Sequence, residues 1–274
     1  MSKMSERLAL HTWSLDTTPL AEALAAARDG GWNAVELRRI DFIRCFEKGM
    51  SNADVIGLVR ASGMRVAVIG TEYGLLFAKG EESRRLFAVL EETCRNAKAL
   101  GCAMIMMAPG PNSGTLTEAI VNYRAAGEIV GAHDLRIALE FNSAHDVINR
   151  LAVARELIAA ANQPNAGLLL DAYHLQRSGD GGRGFENVPG DEIFTFQFSD
   201  VPAGPPSGDR RPTDRLMPGK GCVRWNDVFQ LLKEKNYSGS LSYEAPNPEY
   251  WARPPAEVAR EAARTTRELL AAVE

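Results

Sequence analysis

Four polar residues stand at or near the ends of four short apolar segments in the second half of the chain. Three are acids and one is an amide: Glu140, Asp171, Gln197 and Glu244. An uncompensated charge at a buried strand end is strongly penalised, so such residues need partners. If the four segments are parallel strands of one barrel, their last side chains meet at the same rim. We therefore interpret the four residues as an all-oxygen site for one divalent metal ion.

Oxygen donors of this kind suit hard cations, so we expect Mn²⁺ or Mg²⁺, with Co²⁺ or Zn²⁺ as alternatives. A simpler interpretation is that each acid caps a helix or pairs with a nearby arginine. That interpretation can explain any one of the residues. It does not require polar residues from four consecutive segments to converge on one rim, which is why we favour the metal site.

A histidine follows the second of these segments closely. His174 lies three residues beyond Asp171, so it should leave the strand and face the mouth of the barrel. A pKa near 6.5 suits imidazole for proton transfer or for donation to a substrate hydroxyl. A lone histidine is more often a hydrogen-bonded structural group, but the neighbouring acid favours a substrate contact. His133 and His145 fall in helical patterns and are interpreted as structural.

The first half of the chain offers further residues that could line a pocket, although each is also an ordinary strand-end residue. The candidates for substrate binding are His11, Trp13, Glu36 and Glu72, and Tyr73 could complete an apolar wall with Trp13. Later in the chain, Arg215 precedes a Pro-Gly turn, and its guanidinium could hold a substrate oxygen. The alternative interpretation is that Arg215 is a solvated loop residue, like Arg210 and Arg211.

The elements that must position these residues alternate regularly. Eight apolar runs of strand length predict strands at 8–13, 34–37, 65–70, 103–108, 136–141, 167–171, 194–198 and 240–244. Amphipathic patterns with capping signals predict helices at 19–30, 52–62, 81–100, 116–133, 144–162, 225–235 and 255–273. Thr18 followed by Pro19 suggests the cap of the first helix.

This alternation predicts a (β/α)₈ TIM barrel in an α/β fold, formed by a single domain over residues 1–274. An open doubly wound sheet fits less well, because no Gly-x-Gly-x-x-Gly fingerprint follows the first strand. Two segments rich in glycine or proline, 177–190 and 201–221, interrupt the alternation of strands and helices. In a barrel they would lie on the rim that carries the proposed metal site.

The composition of the chain restricts the classes of molecule that it could bind. The chain has 274 residues, 45% of them hydrophobic, and a formal net charge of −4, which does not favour nucleic acid. No segment has the length of a membrane span or the apolar core of a secretory signal, so we expect no membrane partner. The four cysteines show no Cys-x-x-Cys spacing. Together these features predict a cytoplasmic protein with a small-molecule partner.

Several motifs resemble the sugar isomerase/epimerase superfamily, the xylose isomerase-like TIM barrels. They include Gly-Trp-Asn-Ala-Val-Glu-Leu, Ala-Leu-Glu-Phe-Asn, Leu-Leu-Leu-Asp-Ala-Tyr-His, Phe-Gln-Phe-Ser-Asp, Arg-Leu-Met-Pro-Gly-Lys-Gly and Ser-Tyr-Glu-Ala. The resemblance covers nearly the whole chain. It places Glu140, Asp171, Gln197 and Glu244 on the family's metal ligands, His174 on its substrate-contacting histidine and Arg215 on the arginine before its Pro-Gly-x-Gly turn.

The resemblance implies a metal-dependent isomerase or epimerase of a small keto-sugar or keto-polyol, acting through a metal-stabilised enediolate. Glu140 and Glu244 would remove and return the proton. Many epimerases of the family have histidine where this chain has Gln197, whereas its 3-dehydroshikimate dehydratases resemble this chain there. The alternative is therefore a lyase acting on a cyclic keto-acid, in which His174 takes the proton. A third interpretation is a non-catalytic binding barrel.

Relatives commonly form homodimers or homotetramers, so we keep both assemblies as alternatives for this protein. We expect the segment with Tyr250 and Trp251 to be exposed, which makes it a candidate interface.

Overall fold

The structure is a computed structural model that describes residues 3–111, 114–206, 209 and 211–274. Its centre is a closed barrel of eight parallel strands, each hydrogen-bonded to the next in sequence, with the eighth pairing the first. The strands are β1 (Leu8–His11), β2 (Ala34–Arg38), β3 (Arg65–Gly70), β4 (Met104–Met107), β5 (Arg136–Glu140), β6 (Ala166–Asp171), β7 (Ile193–Phe198) and β8 (Leu241–Tyr243). The predicted (β/α)₈ fold is confirmed.

Ten α-helices of the described chain surround the barrel or cover its rim. They are α1 (Leu20–Asp29), α2 (Arg39–Phe46), α3 (Asn52–Ala61), α4 (Gly80–Ala99), α5 (Leu116–Ala132), α6 (Leu151–Ala161), α7 (Ala172–Ser178), α8 (Trp225–Glu234), α9 (Pro248–Trp251) and α10 (Pro255–Leu270). Among the described residues, no helix is long and apolar enough to cross a bilayer.

The strands are buried almost throughout, which agrees with their continuous apolar sequences. Parallel strands covered on both faces need no polar alternation, so the polar residues at their carboxyl ends stand out. Capping boxes begin α3 at Ser51 and α5 at Thr115, as the sequence predicts. The first helix differs by one position, because Pro19 itself is its N-cap and the helix starts at Leu20.

The helix predicted over 144–162 is wrong in its first half. Asn142 and His145 explain why, since their side chains accept hydrogen bonds from backbone N–H groups that a helix would need elsewhere. The N–H of Ala144 donates to the Asn142 side chain at 2.9 Å, and those of Val147 and Ile148 donate to His145 Nδ1 at 3.0 Å. The segment is therefore a rim loop, and α6 begins only at Leu151.

Short helices at the rim were not predicted. Helix α7 starts directly at Asp171, whose carboxylate accepts the backbone N–H of Tyr173 at 2.9 Å. Helix α9 contains Tyr250 and Trp251, which are partly buried rather than exposed. Trp251 donates its indole N–H to the Trp13 carbonyl, and the Tyr250 hydroxyl accepts the Met217 N–H. These two aromatics brace rim loops of their own chain.

Candidate functional site

Three of the predicted ligand residues end or follow neighbouring strands at the carboxyl rim. Glu140 is the last residue of β5, Asp171 the last of β6, and Glu244 comes directly after β8. Gln197 lies on β7 and pairs in register with Asp171. All four side chains are buried, with at most 6% of each residue exposed. The barrel geometry therefore gathers them at the rim, as the strand ends predict.

Distances show how closely the acidic groups approach. One ligand atom from each of Glu140, Asp171 and His174 lies within 4.8 Å of the other two. Arg215 connects this group to Glu244, because its Nη1 is 2.7 Å from Asp171 Oδ2 and 2.7 Å from Glu244 Oε2. Two carboxylates thus share one guanidinium, and Glu140 lies beside Asp171. If all three carboxylates are ionised, a net charge of −2 remains, which one divalent cation would neutralise.

The pKa values reflect this crowding. Burial, followed by repulsion from Glu244 and Asp171, holds the pKa of the Glu140 carboxyl well above its ordinary value. Burial also raises the pKa of Glu244 to about 7, although Arg215 opposes that shift. Buried carboxylates that repel one another are stabilised by a bound cation. The electrostatics of the site therefore fit a metal ion.

Gln197 supplies the clearest geometric evidence for a cation. Its Nε2 donates a 2.8 Å hydrogen bond to Glu36 Oε1, so the amide is oriented. Its Oε1 is buried and has no hydrogen-bond partner among the described residues. A buried acceptor left unpaired costs about 1–3 kcal/mol. A cation at the rim would satisfy it.

His174 could contact either a substrate or a metal ion. The backbone N–H of Ser143 donates to its Nδ1 at 3.2 Å, and Arg215 Nη2, which can only donate, lies 3.3 Å from Nε2. Nε2 faces the acids, 3.8 Å from both Glu140 and Asp171. Burial lowers the pKa of His174 to about 3, so the ring is neutral. A neutral ring with its proton on Nε2 would donate to a substrate oxygen, whereas the other tautomer would leave Nε2 able to bind a metal ion together with Glu140 and Asp171.

His11 is arranged in the same way on the opposite side of the barrel. Its Nδ1 accepts the Trp13 backbone N–H, and its Nε2 lies 3.3 Å from Glu244 Oε1 and 3.8 Å from Glu36 Oε1. Burial holds the pKa of His11 well below its ordinary value. A neutral His11 can therefore donate to Glu244 and hold that carboxylate in place.

The space above the acids is a cavity of about 320 Å³. The polar side chains that line it include Glu140, His174, Arg215 and Glu244, while Trp13, Tyr73 and Pro212 contribute to a largely apolar wall. The predicted substrate contacts thus divide into three groups. His174, Arg215 and Trp13 line this cavity, whereas His11 and Glu72 line an adjoining one and Glu36 lines neither. Glu72 also pairs with Arg85 at 2.5 Å.

Arg215 is no solvated loop residue. It is 1% exposed, its guanidinium carbon lies 4.5 Å from the centre of the Tyr173 ring, and its Nη2 is 3.3 Å from His174 Nε2. Asn247 donates to its carbonyl at 3.0 Å. Arg210, the other arginine offered for comparison, lies outside the described residues.

Asp200 is a site-building residue that the sequence analysis missed. Its carboxylate accepts the backbone N–H groups of Val201, Gly219 and Val223 and the indole N–H of Trp225, at 2.8–2.9 Å. Its backbone also pairs with Leu216. These bonds anchor both ends of the long segment that carries Arg215. The Ser-Asp pair directly after β7 was the only available signal.

His145 also differs from its interpretation as a helical residue. It lies in the rim loop after β5, 4% exposed, stacked on Phe77 with ring centroids 5.3 Å apart. His133 follows α5 and its Nε2 lies 2.8 Å from Glu91 Oε1, which agrees with a structural role.

Comparison with known proteins decides the family. A sequence model described as xylose isomerase-like TIM barrel matches residues 24–269. The chain belongs to the xylose isomerase-like TIM barrel family. Among curated relatives, an inosose isomerase of Halalkalibacterium halodurans is 23% identical over 267 residues, 94% of this chain and 93% of that protein. The resemblance stated from the motifs is thereby confirmed.

Other similar proteins have names that state different activities. A 3-dehydroshikimate dehydratase of Pseudomonas aeruginosa is 27% identical over 255 residues, 89% of this chain but 38% of that protein. Among solved structures, the IolI protein with a bound zinc atom has a TM-score of 0.87 at 20% identity and covers 98% of this chain and 99% of its own. A D-allulose 3-epimerase from Methylomonas sp. with D-allulose has a TM-score of 0.76 at 16% identity, over 96% of both chains.

Proposed function

We propose that this protein is a metal-dependent isomerase or epimerase that moves a proton at the carbon next to the ketone of a small polyhydroxy ketone. The observation that carries the proposal is the convergence of three buried carboxylates with an oriented amide whose oxygen is unpaired. The inosose isomerase relatives, which match nearly the whole chain, support the same reaction class.

In this proposal Glu140, Asp171, Gln197 and Glu244 hold one divalent ion. Their oxygen donors suit Mn²⁺ or Mg²⁺, and Zn²⁺ and Co²⁺ are alternatives, because the IolI structure contains zinc. When bound, such an ion polarises the ketone and an adjacent hydroxyl, which makes the neighbouring C–H more acidic.

The remaining chemistry falls to the protein's own side chains. One carboxylate of the pair Glu140 and Glu244 removes the proton and the other returns one. Their raised pKa values suit proton exchange near neutrality. His174 donates its Nε2 proton to a substrate oxygen, and Arg215 fixes the positions of Asp171 and Glu244. The apolar wall with Trp13 excludes water from the reacting carbon.

A dehydratase acting on a cyclic keto-acid is the second candidate, supported by the relative from Pseudomonas aeruginosa. It would use the same first proton transfer and then expel a β-hydroxyl. His174 bears on this candidate, because burial keeps its imidazole neutral and a neutral imidazole can accept a proton. In this reaction His174 would take the proton from the substrate.

The decisive experiment incubates the Mn²⁺-loaded protein in D₂O with a panel of keto-sugars, inososes and 3-dehydroshikimate. Deuterium uptake next to the ketone, followed by NMR, reports the proposed proton transfer, and mass spectrometry separates isomerisation from loss of water. Treatment with a chelator should stop the exchange, and Mn²⁺ should restore it. Absence of exchange across the panel with metal-saturated protein would favour the non-catalytic binding barrel.

A further inference from the structure

The cavity contains a second arginine that the proposed chemistry does not use. Arg211 lies in the segment between β7 and β8, and its guanidinium carbon is 4.7 Å from the centre of the Trp13 ring and 5.3 Å from that of Tyr73. The two rings come from the loops that follow β1 and β3. A cation over two aromatic faces is held by electrostatic attraction without using its N–H donors.

The N–H donors of the Arg211 guanidinium have no acceptor among the described residues. No hydrogen bond or ion pair joins Arg211 to any residue in the described part of the chain, although it lines both the reaction cavity and the adjoining cavity. The other arginines around these cavities differ. Arg38 binds Asp16 and Asp41, Arg39 binds Glu92, Arg44 binds Asp16, and Arg215 binds Asp171 and Glu244. Arg211 is held in place, yet it has no anionic partner.

The charge of the cavity supports an anionic ligand. The charge of Arg215 and that of a divalent ion together balance the three carboxylates Glu140, Asp171 and Glu244. Arg211 then leaves the loaded cavity with one excess positive charge. A neutral polyol would not compensate this charge, whereas a substrate with one carboxylate would. The in-plane N–H pairs of a guanidinium match the two oxygens of a carboxylate.

We propose that Arg211 binds a carboxylate of the substrate, so that the preferred substrates are polyhydroxy keto-acids rather than uncharged keto-sugars. This inference rests on the proposed function, because it names the substrate class of the same cavity. The keto group would lie toward Glu140 and Glu244, and the carboxylate toward Trp13 and Tyr73. One arginine with one free charge fits a monoanion better than a phosphate dianion.

Binding of unreactive probes tests the inference without requiring turnover. Quinate and myo-inositol are both polyhydroxylated six-membered carbocycles without a ketone, and only quinate carries a carboxylate. Calorimetry with the Mn²⁺-loaded full chain should show quinate binding at least tenfold more tightly than myo-inositol. Quinate methyl ester, in which the charge is removed, should bind like myo-inositol.

The variant Arg211→Gln should weaken quinate binding about tenfold and leave myo-inositol binding unchanged. Lys220→Gln is the matched control, since it removes one positive charge from an exposed residue of the same segment. Equal affinity for quinate and its methyl ester, or unchanged quinate binding in Arg211→Gln, would overturn the inference. So would tighter binding of myo-inositol 1-phosphate than of quinate with the same dependence on Arg211, which would assign the position to a phosphate.

The two proposals fail differently. If quinate binding depends on Arg211 but no ketone of the panel exchanges deuterium, the inference stands and the proposed enzyme activity is wrong. If uncharged inososes exchange deuterium as fast as 3-dehydroshikimate, and Arg211→Gln changes neither rate, the activity stands and the carboxylate preference is wrong.

Discussion

Gln197 donates from Nε2 to Glu36 Oε1 at 2.8 Å, and this hydrogen bond determines which end of the amide faces the acids. Because the nitrogen is engaged by Glu36, the buried Oε1 remains as the unpaired acceptor of the amide. Glu36 therefore acts as a positioning residue for a proposed ligand, in the way that outer groups commonly orient the groups that bind a metal.

Replacing Glu36 by leucine should weaken Mn²⁺ binding by about 10- to 100-fold, the usual effect of losing such an orienting group. Without its acceptor, the Gln197 amide is free to rotate and to present its nitrogen to the ion. Titration calorimetry measures the change. Glu36→Gln is the matched control, because its amide oxygen can still accept the Gln197 hydrogen bond, and it should bind metal within a few-fold of the parent. Wild-type affinity in Glu36→Leu would contradict the orienting role.

The stability of the metal-free protein should fall as pH rises. Burial raises the pKa of Glu36 to about 8, so in the folded state this carboxyl keeps its proton at pH values where the unfolded chain has lost it. The resulting stabilisation is complete below the unfolded pKa near 4.5 and is lost as pH rises through about 8. Each unit of pKa difference corresponds to about 1.4 kcal/mol.

Urea unfolding of chelator-treated protein between pH 5 and pH 8.5 measures this effect. Glu36→Gln should make the fall less steep, because the amide does not titrate while Glu140 and Glu244 still do, and Glu22→Gln on the exposed face of α1 should leave the profile unchanged. A profile that rises with pH in the metal-free parent would contradict the prediction.

Glu140→Gln and Glu244→Gln should each abolish turnover, lowering the rate by at least about 100-fold, because either change removes a carboxylate needed for proton transfer. Single-turnover deuterium exchange at saturating Mn²⁺ separates lost chemistry from weakened metal binding. Full activity in either variant would rule out the two-carboxylate mechanism.

His174→Ala should preserve Mn²⁺ affinity but lower turnover by about 100- to 10,000-fold, because Nε2 is assigned to a substrate oxygen rather than to the ion. Ser143→Ala is the control, since the backbone N–H that orients the imidazole remains. It should retain most of the activity. Loss of metal binding in His174→Ala would show that the histidine is a ligand, as its distance from Glu140 and Asp171 allows.

Arg215→Met should destabilise the metal-free protein by about 3–5 kcal/mol, the range expected when a buried ion pair loses one partner. Asp171 and Glu244 would then repel each other without a shared cation. Added Mn²⁺ should raise the melting temperature of this variant more than that of the parent, because the ion would restore the missing positive charge. An equal increase in both proteins would argue against a shared charge balance.

Much of the barrel was predictable because buried parallel strands are continuous apolar runs, and β3 begins and ends where the sequence indicates. The ligand candidates were predictable for the related reason that a carboxylate at the end of such a run is conspicuous. Glu36 shows the limit of this reasoning. Its position on β2 indicates a polar group in the barrel, but only the closed barrel reveals that it accepts a hydrogen bond from Gln197 on β7.

Contacts that depend on loop conformation could not be predicted. The hydrogen bonds accepted by Asn142 and His145 replaced a helix with a loop, although the local pattern was helical. Arg215 was equally ambiguous, since its burial depends on hydrogen bonds made around it by Asp200 and Asn247. Such side-chain hydrogen bonds join distant parts of the chain and leave no periodic trace in the sequence.

Asp200 fixes both ends of the segment that carries Arg215. Its carboxylate binds the segment where it leaves β7 and again where it returns toward α8, so residues between these two points other than Arg211 and Arg215 can be added or replaced at a modest entropic cost. New specificities could therefore be selected from libraries of this segment while the residues that perform proton transfer remain unaltered.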